Sequence, residues 1–167
     1  MPKSKRTARK RSYLSQAIPG YRGYSRSSFA RKTDKIFSEE VLSQLSETVA
    51  IVGRMKRVGQ GQLDPEMLSG LNLIVGKVQR LSRSICQAAP QDEVLLDMME
   101  DGRSSEIMGL DSAILEKMGN VNQALSVMDL EAGVGISSED VDSVSELLDD
   151  LTNDLRMRAE LIAGRQD

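Results

Sequence analysis

The residues with the most evident chemistry are positively charged or aromatic, and they lie near the N terminus. Six lysines and arginines fall between Lys3 and Arg11, and Tyr21 and Tyr24 follow on either side of Arg22 and a glycine. Cationic side chains attract the phosphates of nucleic acids and of lipid head groups without reading a sequence. Tyrosines stack on bases, sit among lipid head groups or pack on a protein. This segment therefore predicts contact with an anionic partner.

The candidate residues for binding an anion or a partner all lie in the first 32 positions. They are Lys3, Lys5, Arg6, Arg9, Lys10, Arg11, Tyr21, Arg22, Tyr24, Arg26, Arg31 and Lys32. Two alternatives stay open for this set. The basic run is also typical of a solvated tail, and the two tyrosines are also suited to fold back as anchors. All five aromatic residues of the chain occur in the first 37 positions, and rings left exposed there would forfeit a large apolar burial.

The composition argues against an enzyme. The chain has no histidine and one cysteine, Cys86, so it lacks the commonest general base, the commonest zinc ligand and the usual partner of a nucleophilic serine or cysteine. It has no phosphate-binding glycine loop, and no acidic run has the spacing of a calcium loop. We predict a non-enzymatic protein with no metal, no cofactor and no small-molecule substrate. Acid–base catalysis by paired carboxylates stays open.

Charge divides the chain into two unlike parts. Residues 1–35 carry eleven basic side chains and one acidic side chain, a net charge of +10, whereas the remainder carries a net charge of −13. Such asymmetry is typical of a basic arm on an acidic domain. We predict an arm over residues 1–33, largely disordered when alone, and a helical domain over residues 34–167. Because the arm is rich in Arg and Ser and poor in acids, an organelle transit peptide stays an alternative.

Apolar residues recur every three or four positions in four long segments, which is the periodicity of amphipathic helices. The segments span residues 37–55, 67–85, 107–128 and 141–162. Asp64 before Pro65 predicts the start of the second helix, and Ser137 with Asp140 resembles a capping box before the last helix. A shorter apolar segment around residues 94–99 predicts a small lid helix. Similar lengths and short links favour an all-α, antiparallel four-helix bundle.

The second of these helices carries the most regular apolar stripe. Its members alternate at spacings of four and three residues, as in a coiled-coil seam: Met67, Leu71, Ile74, Val78, Leu81 and Ile85. Such a seam is compatible with a self-contained bundle and with dimerisation. We interpret it as the surface that binds a helical protein partner, and homo-oligomerisation stays open.

The segment Ile18–Tyr24, followed by Arg31–Lys35, resembles a family of small helical prokaryotic proteins encoded near membrane-remodelling proteins of the phage-shock-protein-A (Vipp) type. The shared pattern is a Gly-Tyr-Arg-Gly-Tyr start and then a charged helix with Thr-Asp-Lys. Asp111–Glu116 is similar to the opening of the family's third helix. The chain departs from the family at Ser25–Ser28, at Gln87–Pro90 and in its basic extension before Ile18. The resemblance implies an accessory role in membrane stress without catalysis.

Together these features predict a non-enzymatic adaptor or scaffold. It would bind a helical protein partner and an anionic surface, which is either a membrane or an acidic protein face. The alternative is a structural protein of nucleic-acid or ribonucleoprotein complexes whose tail lies on phosphates. No run has the length of a transmembrane helix, and no apolar region follows the basic start. We therefore expect a cytoplasmic protein, free or peripherally attached at the inner face of the membrane.

Overall fold

The structure, a computed structural model, describes residues 13–59, 61, 63–88, 90, 92–100, 102–131 and 137–164. Its helices are α1, described over residues 13–17, and then α2 (Ser27–Val58), α3 (Pro65–Gln87), α4 (Asp92–Glu100), α5 (Ser104–Glu131) and α6 (Ser138–Ala163). Over these ranges the backbone forms helices and turns without a strand, and the prediction of an all-α protein is confirmed. The predicted binding residues Lys3, Lys5, Arg6, Arg9, Lys10 and Arg11 lie outside the described residues.

Two of the helices begin where the sequence predicted. The Asp64 carboxylate accepts a hydrogen bond from the Met67 backbone N–H at 2.7 Å, and Pro65 occupies the first position of α3. Ser137 and Asp140 form the predicted capping box of α6. Both arrangements satisfy N–H groups that have no partner inside a helix. The starts of α3 and α6 are therefore set by local sequence.

The four longer helices surround one apolar core, in which α2 and α6 each pack on both α3 and α5. The contacts between α2 and α5 advance in the same direction along both helices. The Thr48 hydroxyl bonds the Asn122 side chain at 2.7 Å, and further along both helices Arg54 Nε bonds Asp129 at 3.1 Å. These two neighbours are therefore parallel.

The helices α3 and α6 are parallel for the same reason. Gly70 lies against Val141, and two turns further on the Lys77 ammonium bonds the Asp149 carboxylate at 2.6 Å. The prediction that neighbouring helices are antiparallel is therefore wrong for these two pairs. The physical reason is the connection between α3 and α5, which is not a short turn. It contains α4, which packs on both α2 and α6 and carries the chain across the end of the core.

The segment before α2 belongs to the same core. Leu14, Ile18 and Ala30 are buried together with Tyr21 and Tyr24. Their burial stabilises the fold, because the transfer of apolar surface out of water is favourable. The predicted boundary between residues 33 and 34 falls inside the unbroken helix α2, so it is corrected: residues 13–33 are part of the helical body. The disorder of the arm as an isolated segment stays a prediction.

The predicted partner seam on α3 faces inwards. Its residues Met67, Leu71, Ile74, Val78 and Leu81 are buried, and Ile85 is half-buried against the same core. The periodic spacing is real, but it serves contacts with α2 and α6 of the same chain. The interpretation of this stripe as a docking surface for another protein is wrong, because its side chains are already covered.

Candidate functional site

Three charged residues occupy core positions on three different helices. Asp34 of α2, Asp111 of α5 and Arg158 of α6 are all buried. Each lies three or four residues from buried or half-buried apolar residues on both sides in its own helix, so the helical repeat turns it inwards. An ionised group in such a place is strongly destabilising unless it is paired and hydrogen-bonded. The packing of the helices brings these three together.

Arg158 is the centre of the resulting network. Its Nε donates a hydrogen bond to Asp111 Oδ1 at 2.6 Å, and its Nη2 donates to Asp34 Oδ1 at 2.7 Å and to the Tyr24 hydroxyl at 2.7 Å. The guanidinium also lies over the Phe37 ring, with 4.5 Å between Cζ and the ring centroid. Two carboxylates, a hydroxyl and a ring face therefore compensate one buried cation.

Two tyrosines join the N-terminal segment to this centre. The Tyr21 hydroxyl donates to Asp111 Oδ2 at 2.6 Å, and the Tyr24 hydroxyl donates to the same oxygen at 3.1 Å. Their rings meet edge to face with centroids 6.2 Å apart, a favourable aromatic geometry. The Tyr24 hydroxyl acts both as a donor, to Asp111, and as an acceptor, from Arg158. The tyrosines thus fasten the start of the chain to α5 and α6.

The backbone around the second tyrosine is held by further contacts. The Gly23 carbonyl accepts a hydrogen bond from the Thr33 hydroxyl at 3.2 Å, and the Tyr24 carbonyl accepts one from the Ser104 hydroxyl at 3.0 Å. Gly23 has a φ of +75°, which glycine adopts without the penalty other residues incur. A Cβ added there would lie 2.9 Å from Met108 Sδ. The glycine is therefore required both by backbone conformation and by close packing.

Burial dominates the protonation equilibria of the network. Desolvation, with the nearby Asp111 carboxylate, raises the pKa of the Tyr21 hydroxyl far above its ordinary 10.0. Desolvation also raises the pKa of Tyr24, although Arg158 opposes it. The pKa of Asp111 is raised by burial against the lowering effect of Arg158. Burial lowers the pKa of Arg158, but Asp111, Tyr24 and Asp34 outweigh it and the net shift is upwards. The tyrosines are neutral donors and the arginine is a cation.

The structure separates the predicted binding residues into two groups. Tyr21 and Tyr24 are 2% and 0% exposed, so the prediction that they touch a partner is wrong, and they serve as anchors instead. The predicted cations within the described residues are all exposed: Arg22, Arg26, Arg31 and Lys32. Arg22 lies over the half-buried Phe29 ring at 4.8 Å between Cζ and the centroid. The motif therefore buries its rings and presents its arginines.

Comparisons of the chain with models of protein families, with curated proteins and with solved structures gave no match. Function must therefore be inferred from the residues themselves. In the part of the chain that the structure describes, Asp, Glu and Cys side chains form no group of three or more that could hold a metal ion. None of the helices described is both long and apolar enough to cross a membrane.

An apolar cavity of about 510 Å³ adjoins the network. Its wall includes Asp34 and Phe37 of α2 and Arg158 of α6, and it is completed by further residues of α2, α3, α4 and α6 and of the link between α3 and α4. Its volume lies within the roughly 300–1,000 Å³ that is usual for small-molecule sites. The cavity was not predicted from the sequence, because it is formed by residues from four separate segments.

The sequence did contain a signal for the buried network. Asp34, Asp111 and Arg158 each interrupt an apolar stripe at a position where the repeat requires a core residue. A charged residue at such a position predicts a buried partner of opposite charge. The spacing cannot say which helices meet, so the partners became evident only from the packing.

Proposed function

We propose that this protein is a non-enzymatic adaptor that binds an anionic membrane surface through the exposed cations of its N-terminal segment. The observation that carries the proposal is the alternation within the motif: Tyr21 and Tyr24 are buried and hydrogen-bonded, whereas Arg22 between them is exposed. Ordering a flexible loop at a binding surface costs conformational entropy. A backbone that is already held in place reduces this cost, and it keeps the cations on the outside.

The exposed cations continue from the motif into α2. Arg26 precedes the helix, and Arg31, Lys32 and Lys35 follow on its first turns, all exposed. Each basic group close to an anionic leaflet contributes about 1 kcal/mol of attraction. The basic run of residues 3–11 precedes this segment in sequence. A cluster of this size is of the kind that attaches proteins peripherally to anionic lipids.

The placement of the rings favours a membrane over a nucleic acid. Proteins that hold single strands use exposed aromatic side chains as stacking platforms, but Tyr21 and Tyr24 are engaged with Asp111. Tyr13, two residues after the basic run, is 45% exposed, and an exposed tyrosine near cations is suited to the interface between lipid head groups and water. A role in nucleic-acid complexes is therefore the second proposal, and experiment must distinguish it from membrane binding.

An adaptor also binds a protein partner, and it needs a rigid body that carries both the membrane-binding and the protein-binding surface. We infer that the four longer helices act as one bundle and that α4 acts as its lid, in keeping with the contacts of α4 with α2 and α6. Because the inward seam is covered, a helical partner would bind the outer side of α3, where Leu68 and Leu73 are exposed. The resemblance of the Gly-Tyr-Arg-Gly-Tyr motif to proteins encoded near membrane-remodelling scaffolds suggests that the partner acts in membrane stress.

Flotation with vesicles tests the membrane proposal. The full chain should float with vesicles that contain phosphatidylglycerol and remain behind with vesicles of phosphatidylcholine alone. The double change Arg22→Glu with Arg26→Glu should abolish flotation, because it replaces attraction by repulsion. The matched control is Arg80→Glu with Arg83→Glu, which makes the same charge change at exposed positions of α3 and should float as the wild type does.

The same proteins separate the alternatives. If the wild type ignores anionic vesicles but binds oligonucleotides with an affinity that falls steeply with salt, the nucleic-acid role replaces the membrane role. If both double variants lose flotation equally, binding reflects overall charge rather than this segment. Circular dichroism and thermal melting of each variant should stay close to the wild type, because all four arginines are exposed and the contact of Arg22 with the Phe29 ring is at the surface.

A further inference from the structure

The cavity beside the Arg158 network is an apolar slot between helices. Its apolar lining comes from four helices: Phe37 and Val41 of α2, Leu81 of α3, Val94 of α4, and Leu155 and Ile162 of α6. Protein interiors are close-packed, with few voids larger than a water molecule. The slot of about 510 Å³ is not such a void but a groove open at the surface, because Ser84, Thr152 and Ala159 in its wall are exposed. Binding of a hydrocarbon group to an apolar surface of this shape is favourable, because it displaces water from that surface.

The cations near the rim of the slot are exposed, whereas the cation at its floor, Arg158, is buried. Arg156 lies on the rim and is exposed, and Lys35 is exposed on α2 next to Asp34, one turn before the lining residue Ser38. Their ion pairs, Arg156 with Glu160 and Lys35 with Glu39, are exposed contacts within one helix. Such contacts contribute little free energy, so an incoming anion can compete for either cation.

The floor does not attract an anion. The guanidinium of Arg158 is shared by the carboxylates of Asp34 and Asp111, so two acids face one base and no net positive charge remains there. Hydroxyl groups of Ser38, Ser84 and Thr152 are the other polar groups of the lining. An occupant with one charged end would therefore keep that end at the rim and place its apolar part inside.

We infer that the cavity binds one acyl chain of an anionic amphiphile, with its tail between α2, α3 and α6 and its head group at Lys35 and Arg156. This inference rests on the proposed function, since both assign an anionic lipid to exposed cations of α2, with Lys35 in common. It goes further by giving the ligand a hydrocarbon tail and a defined slot. A fatty acid and a membrane lipid share this chemistry, and the experiment distinguishes them.

The test uses cis-parinaric acid, a fluorescent fatty acid, with the full chain. Wild type should bind it saturably. Ser84→Trp places a large ring at an exposed lining position and should remove saturable binding. Ala159→Phe fills the slot from α6 and should do the same, so the test survives if one variant fails to fold. Ser69→Trp, at an exposed position of α3 outside the cavity, is the matched control and should bind as wild type does.

Competition then tests the head group and the source. Oleate should displace the probe at lower concentration than oleyl alcohol, and Lys35→Gln with Arg156→Gln should remove that difference. Absence of saturable binding by wild type, or binding by both cavity variants equal to that of wild type, would overturn the inference. Loss of flotation by Ser84→Trp with phosphatidylglycerol vesicles identifies a membrane lipid as the source, and retained flotation identifies a free fatty acid.

The two proposals fail in different ways. If wild type floats with anionic vesicles but does not bind the fatty acid, the surface role stands and the cavity role is lost. If wild type binds the fatty acid and ignores vesicles, the membrane role is lost, and the protein is a carrier of single amphiphiles.

Discussion

The Arg158 guanidinium and the Asp111 carboxylate meet at 2.6 Å between Nε and Oδ1, joining α6 to α5 inside the core. The same guanidinium reaches Asp34 on α2, and the same carboxylate accepts hydrogen bonds from Tyr21 and Tyr24. Two ion pairs that share Arg158 therefore connect three helices with the segment that precedes them. The position of the exposed cations depends on this buried contact.

Replacing the central arginine should unfold much of this arrangement. Arg158→Met leaves Asp34 and Asp111 buried without a cation, and breaking a buried pair in this way costs about 3–5 kcal/mol. We expect a loss of that size in the free energy of unfolding, measured by urea denaturation. Arg156→Met, two residues away and exposed, should change stability by no more than about 0.5 kcal/mol. Equal stability of the two variants would contradict a structural role for the network.

High pH should destabilise the protein through its buried tyrosines. Burial raises the pKa of Tyr21 and Tyr24, so above pH 10.0 these hydroxyls ionise in the unfolded chain but remain protonated in the folded one. The unfolded state then binds fewer protons, and the free energy of unfolding decreases as the pH rises. Their contribution is complete below pH 10.0 and is lost above it, by about 1.4 kcal/mol per pH unit for each tyrosine.

Urea denaturation over a series of alkaline pH values measures this dependence. Tyr21→Phe should lower the slope by the share of one tyrosine. Tyrosinate absorbance should show that Tyr21 and Tyr24 ionise only when the protein unfolds. Two or three ionised tyrosines in the folded state would show that the rings are accessible.

Two glycines in helices should respond to alanine in opposite ways. A Cβ on Gly70 of α3 would lie 2.6 Å from Val141 Cγ1 of α6, whereas a Cβ on Gly119 of α5 would meet no atom within 4 Å. Gly70→Ala should therefore destabilise the protein by about 1–3 kcal/mol through overpacking. Gly119→Ala should stabilise it by up to about 1 kcal/mol, the difference in helix propensity. Thermal melting of both variants tests whether α3 and α6 pack too closely at Gly70 and Val141 to admit a methyl group.

A buried hydroxyl sets the register between α2 and α5. Thr48, which is fully buried, donates to Asn122 Oδ1 at 2.7 Å, and Asn122 in turn donates to the Gln44 carbonyl at 3.3 Å. Thr48→Val removes the donor and leaves the amide oxygen without it, at a cost of about 1–3 kcal/mol. Thr152→Val is the control, because the hydroxyl of Thr152 bonds the Leu148 carbonyl of its own helix. Urea denaturation should show the larger loss for Thr48→Val.

The helices could be predicted from the sequence because their signals are local. The caps at Asp64 and Ser137 lie within one turn of the groups they satisfy, and the apolar repeat of α3 marks its buried face without reference to any other helix. The exposure of Arg22 and Arg26 follows from their charge. The burial of the neighbouring tyrosines does not follow, because a ring can be buried in its own chain or in a partner with similar gain.

What the sequence by itself determined is therefore the all-helical class, the starts of α3 and α6 and the division of charge, since each depends on local sequence. The tertiary structure alone decided that α2 and α5 run parallel, that the apolar stripe of α3 faces its own core, and that Asp34, Asp111 and Arg158 share one network with two tyrosines. These outcomes depend on which helices become neighbours. The pairing of helices is set by the sum of many contacts between residues distant in sequence, and it cannot be predicted from a local pattern.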